Sequence, residues 1–208
     1  MEQDLEAAFR ATEGMISFPE FRLLHELARG VGDGCIVEVG AWRGRSTVAL
    51  GLGALAGAAP PVFAFDPHDE FVGALGGRFG PEDRAAFYRA MLATGCWRNV
   101  RLLNVSSELI APQWKLPIGL LWIDGDHRDE GVRRDFHAWL PHLAPAAKVA
   151  FDDSLDPKLG PSRLIRHLVA TELFIESAVV GKVTVLELRP IATRRERTPL
   201  RPATAGTA

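Results

Sequence analysis

The sequence predicts an α/β fold: a doubly wound, mostly parallel seven-stranded sheet with helices on both faces and one antiparallel strand from a C-terminal hairpin. Three observations lead there. Short apolar runs alternate with longer amphipathic segments, the pattern of repeated strand–helix units. Two late runs are separated only by Gly181-Lys182, too few residues for a parallel crossover, so they form an antiparallel hairpin. Acidic residues recur at the ends of the apolar runs, where open α/β sheets bind their ligands.

In chain order, Leu5–Thr12 and Pro19–Arg29 read as two helices ahead of the sheet, with Pro19 at a first-turn position that tolerates it. Strands follow at Cys35–Val39, Val62–Asp66, Val100–Asn104, Ile118–Asp124 and Val149–Asp152. Helices intervene at about Ser46–Ala56, Pro81–Gly95, a short stretch after Ser106, and Asp129–Leu143. Beyond the fifth strand, Ser162–Glu172 is helical, and Leu173–Val180 and Val183–Arg189 make the hairpin. Ser46 to Phe65 carries no charge, but Gly51, Gly53, Gly57 and Pro60-Pro61 break it. It reads as a buried helix, a turn and a buried strand rather than a membrane span. From Pro190 the chain changes to PIATRRERTPLRPATAGTA, without apolar periodicity, which predicts a disordered tail. Four Arg against one Glu give this tail +3, which leaves −5 on residues 1–189 against −2 for the whole chain. The expected division is therefore 1–32 N-terminal helices, 33–189 ligand-binding domain and 190–208 tail.

With 208 residues, 47% of them hydrophobic and 24% charged, the chain suits one soluble domain with a packed core. A net charge near zero disfavours a protein that neutralises many phosphates, so no nucleic acid is expected as partner, and a small molecule is. Cys35 and Cys96 are far apart with no CxxC, which argues against a disulfide scaffold or structural zinc and fits a reducing cytoplasm. The acidic start MEQDLEAAFRATEG is the opposite of a secretory signal, and no membrane association is expected.

Three places carry chemistry. The first is Val37-Glu-Val-Gly-Ala-Trp-Arg-Gly-Arg-Ser46, an acid at a strand end, a loop with Gly40 and Gly44, and a helix start. Glycine lets a ligand approach the backbone, and the helix N-terminus offers free N–H groups. With Ala41 and Trp42 after Gly40, the loop is too bulky for a pyrophosphate clasp, and Glu38 would repel one. A cationic, amino-acid-like ligand end suits it better. The second is Asp66 at the end of the second strand, able to accept both hydroxyls of a ribose, or simply to serve the turn before Pro67. The third is Leu120-Leu-Trp-Ile-Asp-Gly-Asp-His127 with Val149-Ala-Phe-Asp-Asp153. Asp124, Asp152 and Asp153 then sit at the carboxyl ends of neighbouring strands, and a hard divalent cation such as Mg²⁺ would relieve their repulsion. Asp126 is either a further ligand or a helix cap. His127 is either a cap or a base able to take a proton from a metal-acidified hydroxyl. His137 and His142 read as surface or packing residues, and Arg133-Arg134 as a solvated helix face. Pro67–Trp97, rich in Gly and aromatic residues, is either a lid over the crevice or, at Phe87 and Met91, part of an ordinary core helix.

Glu38-x-Gly40-x-Trp42-x-Gly44-x-Ser46, Asp66, Ser106, Ile123-Asp-Gly-Asp-His127 and Phe151-Asp-Asp153 together resemble class I S-adenosylmethionine-dependent methyltransferases. More narrowly, the set is similar to the metal-dependent small-molecule O-methyltransferases of catechol and sugar or natural-product type. The resemblance spans residues 33–189 and implies a Rossmann-like doubly wound sheet with a reversed seventh strand. It implies that Glu38, Gly40, Trp42, Gly44 and Ser46 hold the methionine end of S-adenosylmethionine, that Asp66 binds the ribose and that Ser106 borders the adenine. It further implies that Asp124, also beside the cofactor, joins Asp152 and Asp153 as Mg²⁺ ligands and that His127 is the general base. The loop lacks the central glycine of the commoner version, and an aromatic residue there is usual in the catechol-like branch.

The expected reaction is in-line transfer of the sulfonium methyl to a small-molecule hydroxyl of a sugar, phenol or other natural product. Two other readings stand beside it: a non-catalytic cofactor-binding protein with a regulatory or dimerisation role, and a metal-dependent hydrolase built on Asp126, His127 and the aspartates. The N-terminal helices and the Pro67–Trp97 insertion are compatible with a homodimer.

Overall fold

The computed structural model describes residues 2–189, so the segment read as a disordered tail lies outside the described residues. Glu2–Ala11 (α1) and Phe18–Arg29 (α2) precede the sheet. The first turn of α2 is fixed locally, because Ser17 donates its backbone N–H to Glu20 Oε2 at 2.5 Å. Next come Cys35–Val39 (β1), Arg45–Ala56 (α3), Val62–Phe65 (β2), a short pair Phe71–Val72 (β3) and Arg78–Phe79 (β4), and Pro81–Thr94 (α4). Val100–Leu103 (β5), Ser107–Ile110 (α5), Ile118–Ile123 (β6) and Asp129–Trp139 (α6) follow. Leu143–Phe151 (β7), Gly160–Ala170 (α7), Phe174–Val180 (β8) and Val183–Leu188 (β9) complete the described chain.

Seven strands form one sheet in the order β5-β2-β1-β6-β7-β9-β8. The pairs from β5 to β7 are parallel, and β9 is antiparallel to both of its neighbours. The two-residue turn at Gly181-Lys182 makes the hairpin, but β9 enters between β7 and β8. The reversed strand thus lies one position in from the edge rather than on it. β7 starts at Leu143, six residues before the expected Val149, because Leu143 pairs with Ile118 across a register shift that spans Pro145. The β3–β4 pair has only two residues per strand, too short for any periodicity to show. No helix of the described residues is long and apolar enough to cross a membrane. The charge-free Ser46–Phe65 stretch is divided between α3 and β2.

Strand alternation splits the core into two layers. Cys35, Val37 and Val39 of β1 pack toward α6 and α7 with Val132, Phe136, Trp139 and Leu164. Ile36, Val62, Ala64, Leu120 and Trp122 face the opposite layer with Phe21, Leu24 and Ala28 of α2 and Val48 to Leu50 of α3. α2 and α3 lie very close: a Cβ on Gly53 would sit 2.1 Å from the His25 carbonyl oxygen, so only glycine allows that contact. Glu38 alternates to the same side as Ile36. The strand period therefore carries a carboxyl group beneath the first turn of α3.

Candidate active site

The strand order runs outward in opposite directions from β1 and β6, the switch point at which such sheets open a crevice. Ladder bonds set the residues there in a row. Gly40 N–H donates to Phe65 O at 2.9 Å, Asp124 N–H to Val39 O at 2.8 Å, Asp152 N–H to Ile123 O at 3.0 Å and Asp66 N–H to Leu103 O at 3.2 Å. Asp66, Gly40, Asp124 and Asp152 are thus each one step beyond the end of four adjacent strands. Gly40 has φ +86, and a Cβ there would meet the Asp124 carbonyl oxygen at 2.2 Å, so this position requires glycine.

The loop after Gly40 is braced from β2. Asp66 Oδ2 accepts the N–H groups of Ala41 at 3.0 Å and Trp42 at 2.7 Å, and Oδ1 accepts that of His68 at 2.8 Å. His68 Nε2 bonds the Trp42 carbonyl at 2.7 Å while Nδ1 faces Asn104 Nδ2 at 2.9 Å. Since the Trp42 carbonyl only accepts and the Asn104 amide donates, these bonds are met with His68 Nε2 as donor and Nδ1 as acceptor. This bracing holds Trp42 at φ +41. Gly44 ends the loop at φ +92 as the N-cap of α3. Glu38 is fully buried behind it, with Ser46 Oγ and Thr47 Oγ1 each donating to one carboxyl oxygen at 2.6 Å. Burial pushes its carboxyl up to about 8, against those two bonds. Ser106 caps α5 at the far side of the crevice. Beside it, Ser107 Oγ donates to Asp135, whose carboxyl burial pushes up to about 6.

The other half of the crevice holds the acids. His127 lies between Asp124 and Asp153, with Nε2 3.5 Å from Asp124 Oδ1 and Nδ1 3.7 Å from Asp153 Oδ2. Burial lowers its affinity for a proton, but Asp124 beside it and the charges of Asp153 and Asp152 outweigh burial and raise it. His127 lines the cavity and does not cap α6, whose N-cap position is Arg128; Asp126 accepts the Arg128 N–H at 3.1 Å and pairs with its guanidinium. Lys182, which the sequence offered only as a turn residue, places Nζ 2.6 Å from Asp152 Oδ2 and 3.0 Å from Asp153 Oδ1. Arg133 is a helix-face residue bonded to Asp129 at 2.8 Å, whereas Arg134 reaches the crevice wall beside Glu108.

Ligand atoms of Asp124, His127 and Asp152 all lie within 4.8 Å of one another. Asp152 Oδ1 and His127 Nε2 are buried with no hydrogen-bond partner. The two carboxylates, one with an unspent buried oxygen, fit a hard divalent cation, and the imidazole nitrogen stands free beside them. Asp153 stands beside this group, turned toward His127 and Lys182.

A cavity of about 470 Å³ joins the two halves. Gly40, Trp42, Ser46, Asp66, Ser106, Asp124, His127, Asp152 and Asp153 line it, while Glu38 and Gly44 stand behind the wall. The Pro67–Trp97 insertion divides in two. β3 and β4 form a flap on the cavity, with Phe79 edge-on to Trp42 at 5.9 Å and Arg128 bonded to the Val72 carbonyl at 2.8 Å. Phe87 and Met91 of α4 are buried in the core. The core-helix reading of this stretch holds for Phe87 and Met91, while the part ahead of α4 lies against the cavity. Gly14, Met15 and Ile16 close another side, held by Arg45.

Comparison with known proteins agrees with the architecture. A family model described as a methyltransferase domain matches residues 37–154, more than half of the chain. The O-methyltransferase TomG from Streptomyces achromogenes, solved in complex with SAM, is 18% identical at a TM-score of 0.65, over 91% of each chain. An O-methyltransferase from Bacillus cereus in complex with SAH is 16% identical at a TM-score of 0.67, over 91% of this chain and 92% of that one. An rRNA methylase from Streptococcus thermophilus shares the fold at 15% identity and a TM-score of 0.58, over 85% and 99%. Sheet order, switch-point crevice and matched domain coincide, and the chain belongs to this methyltransferase family.

Proposed function

We propose that the protein transfers a methyl group from S-adenosylmethionine to a hydroxyl of a small molecule, with Mg²⁺ held by Asp124 and Asp152 beside Asp153. The observation that carries this reading is the single cavity joining the glycine loop to the Asp124, His127 and Asp152 cluster. The loop N–H groups and the first turn of α3 would hold the amino-acid end of the donor, with Glu38 orienting Ser46 from behind. Asp66 and Ser106 would flank its nucleoside. When bound, the donor supplies a sulfonium methyl and the cation a Lewis-acidic contact for the acceptor oxygen. His127 takes the hydroxyl proton on Nε2, and Asp153 at Nδ1 steadies the imidazolium. The acceptor oxygen, relieved of its proton by His127, would then be held for in-line displacement of a neutral thioether from the methyl.

The charge of the cavity lining supports a small molecule over RNA, although the fold serves an rRNA methylase elsewhere. The cavity is lined by Asp66, Asp69, Glu70, Asp124, Asp126 and Asp152, a wall that repels a polyanion. The test is calorimetric binding of S-adenosylmethionine, followed by labelled methyl transfer to a panel of phenols and sugars with Mg²⁺ or with chelator. His127→Ala should lower turnover by about 10²–10⁴-fold while leaving donor affinity unchanged. Donor binding with no metal-sensitive transfer to any hydroxyl would favour the non-catalytic reading, and absence of donor binding would end both.

A further inference from the structure

We infer that the Lys182 ammonium is a tethered cation at the rim of the site formed by Asp124 and Asp152 beside His127, and that it sets how tightly a divalent cation binds there by competing for Asp152. The inference rests on reading that cluster as a cation site.

The Asp152 side chain is 3% exposed, too buried to stand charged without a positive partner. Its Oδ2 takes the ammonium at 2.6 Å, while Oδ1 has no partner and converges with Asp124 and His127. The same carboxylate therefore serves two cations, one built into the chain and one from solution. A second bond, to Asp153 Oδ1 at 3.0 Å, keeps the ammonium at the rim of the cluster.

The Lys182 backbone cannot follow its side chain. Its N–H donates to Glu20 Oε1 at 2.8 Å, and its carbonyl accepts the N–H of Ser154 at 3.0 Å and the hydroxyl at 2.8 Å. Glu20 is itself buried and spends its other oxygen on the start of α2. The Lys182 side chain is 32% exposed, on a flexible four-carbon stem that reaches solvent. A divalent cation landing on Asp152 needs only to release the ammonium toward water, with the hairpin in place. Its affinity is lowered by the two bonds and the like charge that it displaces.

The test is titration calorimetry of the donor-free full chain with Mn²⁺ alone at constant pH. Lys182→Met should bind Mn²⁺ at least about tenfold more tightly than the wild type, Lys182→Arg should stay near the wild type, and Asp152→Asn should abolish the binding. Lys182→Gln must show the same gain as Lys182→Met, and decides the matter should the Met variant fail to melt cooperatively. Equal or weaker binding by the charge-removing variants overturns the competition while leaving the cation site standing. No binding by wild type or variants at millimolar Mn²⁺, or binding that survives Asp152→Asn, overturns it through the site itself.

Discussion

Glu38 gives the structure a pH signature that a single isosteric change should erase. Its carboxyl, buried under α3 and bonded by Ser46 and Thr47, is raised from 4.5 to about 8, with burial the largest cause. A group whose folded value is raised contributes stability fully below its unfolded value, and loses it as pH climbs through the folded one. The window therefore runs from about 4.5 to about 8. At about 1.4 kcal/mol per unit, 3.5 units correspond to roughly 5 kcal/mol, an upper bound because local relaxation can hydrate the charge. Glu38→Gln keeps both hydroxyl contacts, since a carboxamide can accept from one and donate to the other. Urea unfolding of both proteins without ligand, from pH 5 to pH 9, measures the difference. The wild type should lose several kcal/mol relative to Glu38→Gln between pH 5 and pH 8, then run parallel to it. A constant difference across that range would show that Glu38 titrates like an ordinary carboxyl.

Gly40→Ala forces a methyl group against the Asp124 carbonyl at φ +86 and should cost about 3 kcal/mol or more in denaturant unfolding, together with donor binding. Asp66→Asn leaves three N–H donors to one carbonyl oxygen, so melting temperature should fall and calorimetric donor affinity weaken by about tenfold. Unchanged affinity would confine Asp66 to loop bracing. At Asp83, burial opposes the charge, but the Arg43 bond at 2.7 Å and the Gly80 N–H outweigh it and hold the carboxyl below its ordinary value. Its contribution is present above the unfolded value of 3.8 and is lost as pH falls through the folded one. Asp83→Asn should thus melt lower than the wild type at pH 7, with the gap closing in acid; a gap independent of pH would exclude the ion pair as its cause.

The parts of the fold that were legible in the sequence are those in which local pattern and tertiary placement agree. β1 and the limits of α3 and α4 come within a residue of expectation, because buried parallel strands are continuous apolar runs and the helices have glycine or proline at their boundaries. The β3–β4 flap was invisible, since two-residue strands have no period. In the site, the acids and glycines at strand ends could be read because strand ends converge by topology. His68 and Asn104 could not, because His68 links the Trp42 carbonyl to Asn104 across the ends of separate strands and nothing local marks the bonds. Lys182 was hidden by its own turn. Gly-Lys between two strands is fully explained as a hairpin, and only the insertion of β9 beside β7 brings that turn over Asp152. Glu38 shows a finer limit: its position was evident, but the alternation that sends it behind the loop rather than into the cavity needs the strand's face assigned first.

The N-terminal helices are tied to the cavity by a residue that the helix dipole alone would disfavour. Arg45 stands in the first turn of α3, where a cation meets the positive end of the helix. Three carbonyls compensate: its guanidinium donates to Thr12 O at 2.9 and 2.7 Å, to Gly14 O at 2.5 Å and to Ile16 O at 3.2 Å, while lying over the Phe9 ring at 4.4 Å. Gly14 to Ile16 form a wall of the cavity, so the helix whose first turn lines the cavity also carries the clamp for that wall. Arg43, two residues earlier, joins Glu13 of the same strap to Asp83 at the start of α4. Glu20 makes the equivalent connection on the opposite side, through the Lys182 backbone. Both ends of the crevice are therefore braced by residues before β1. That gives the N-terminal helices a reason to persist in this chain that is independent of their share of the apolar core.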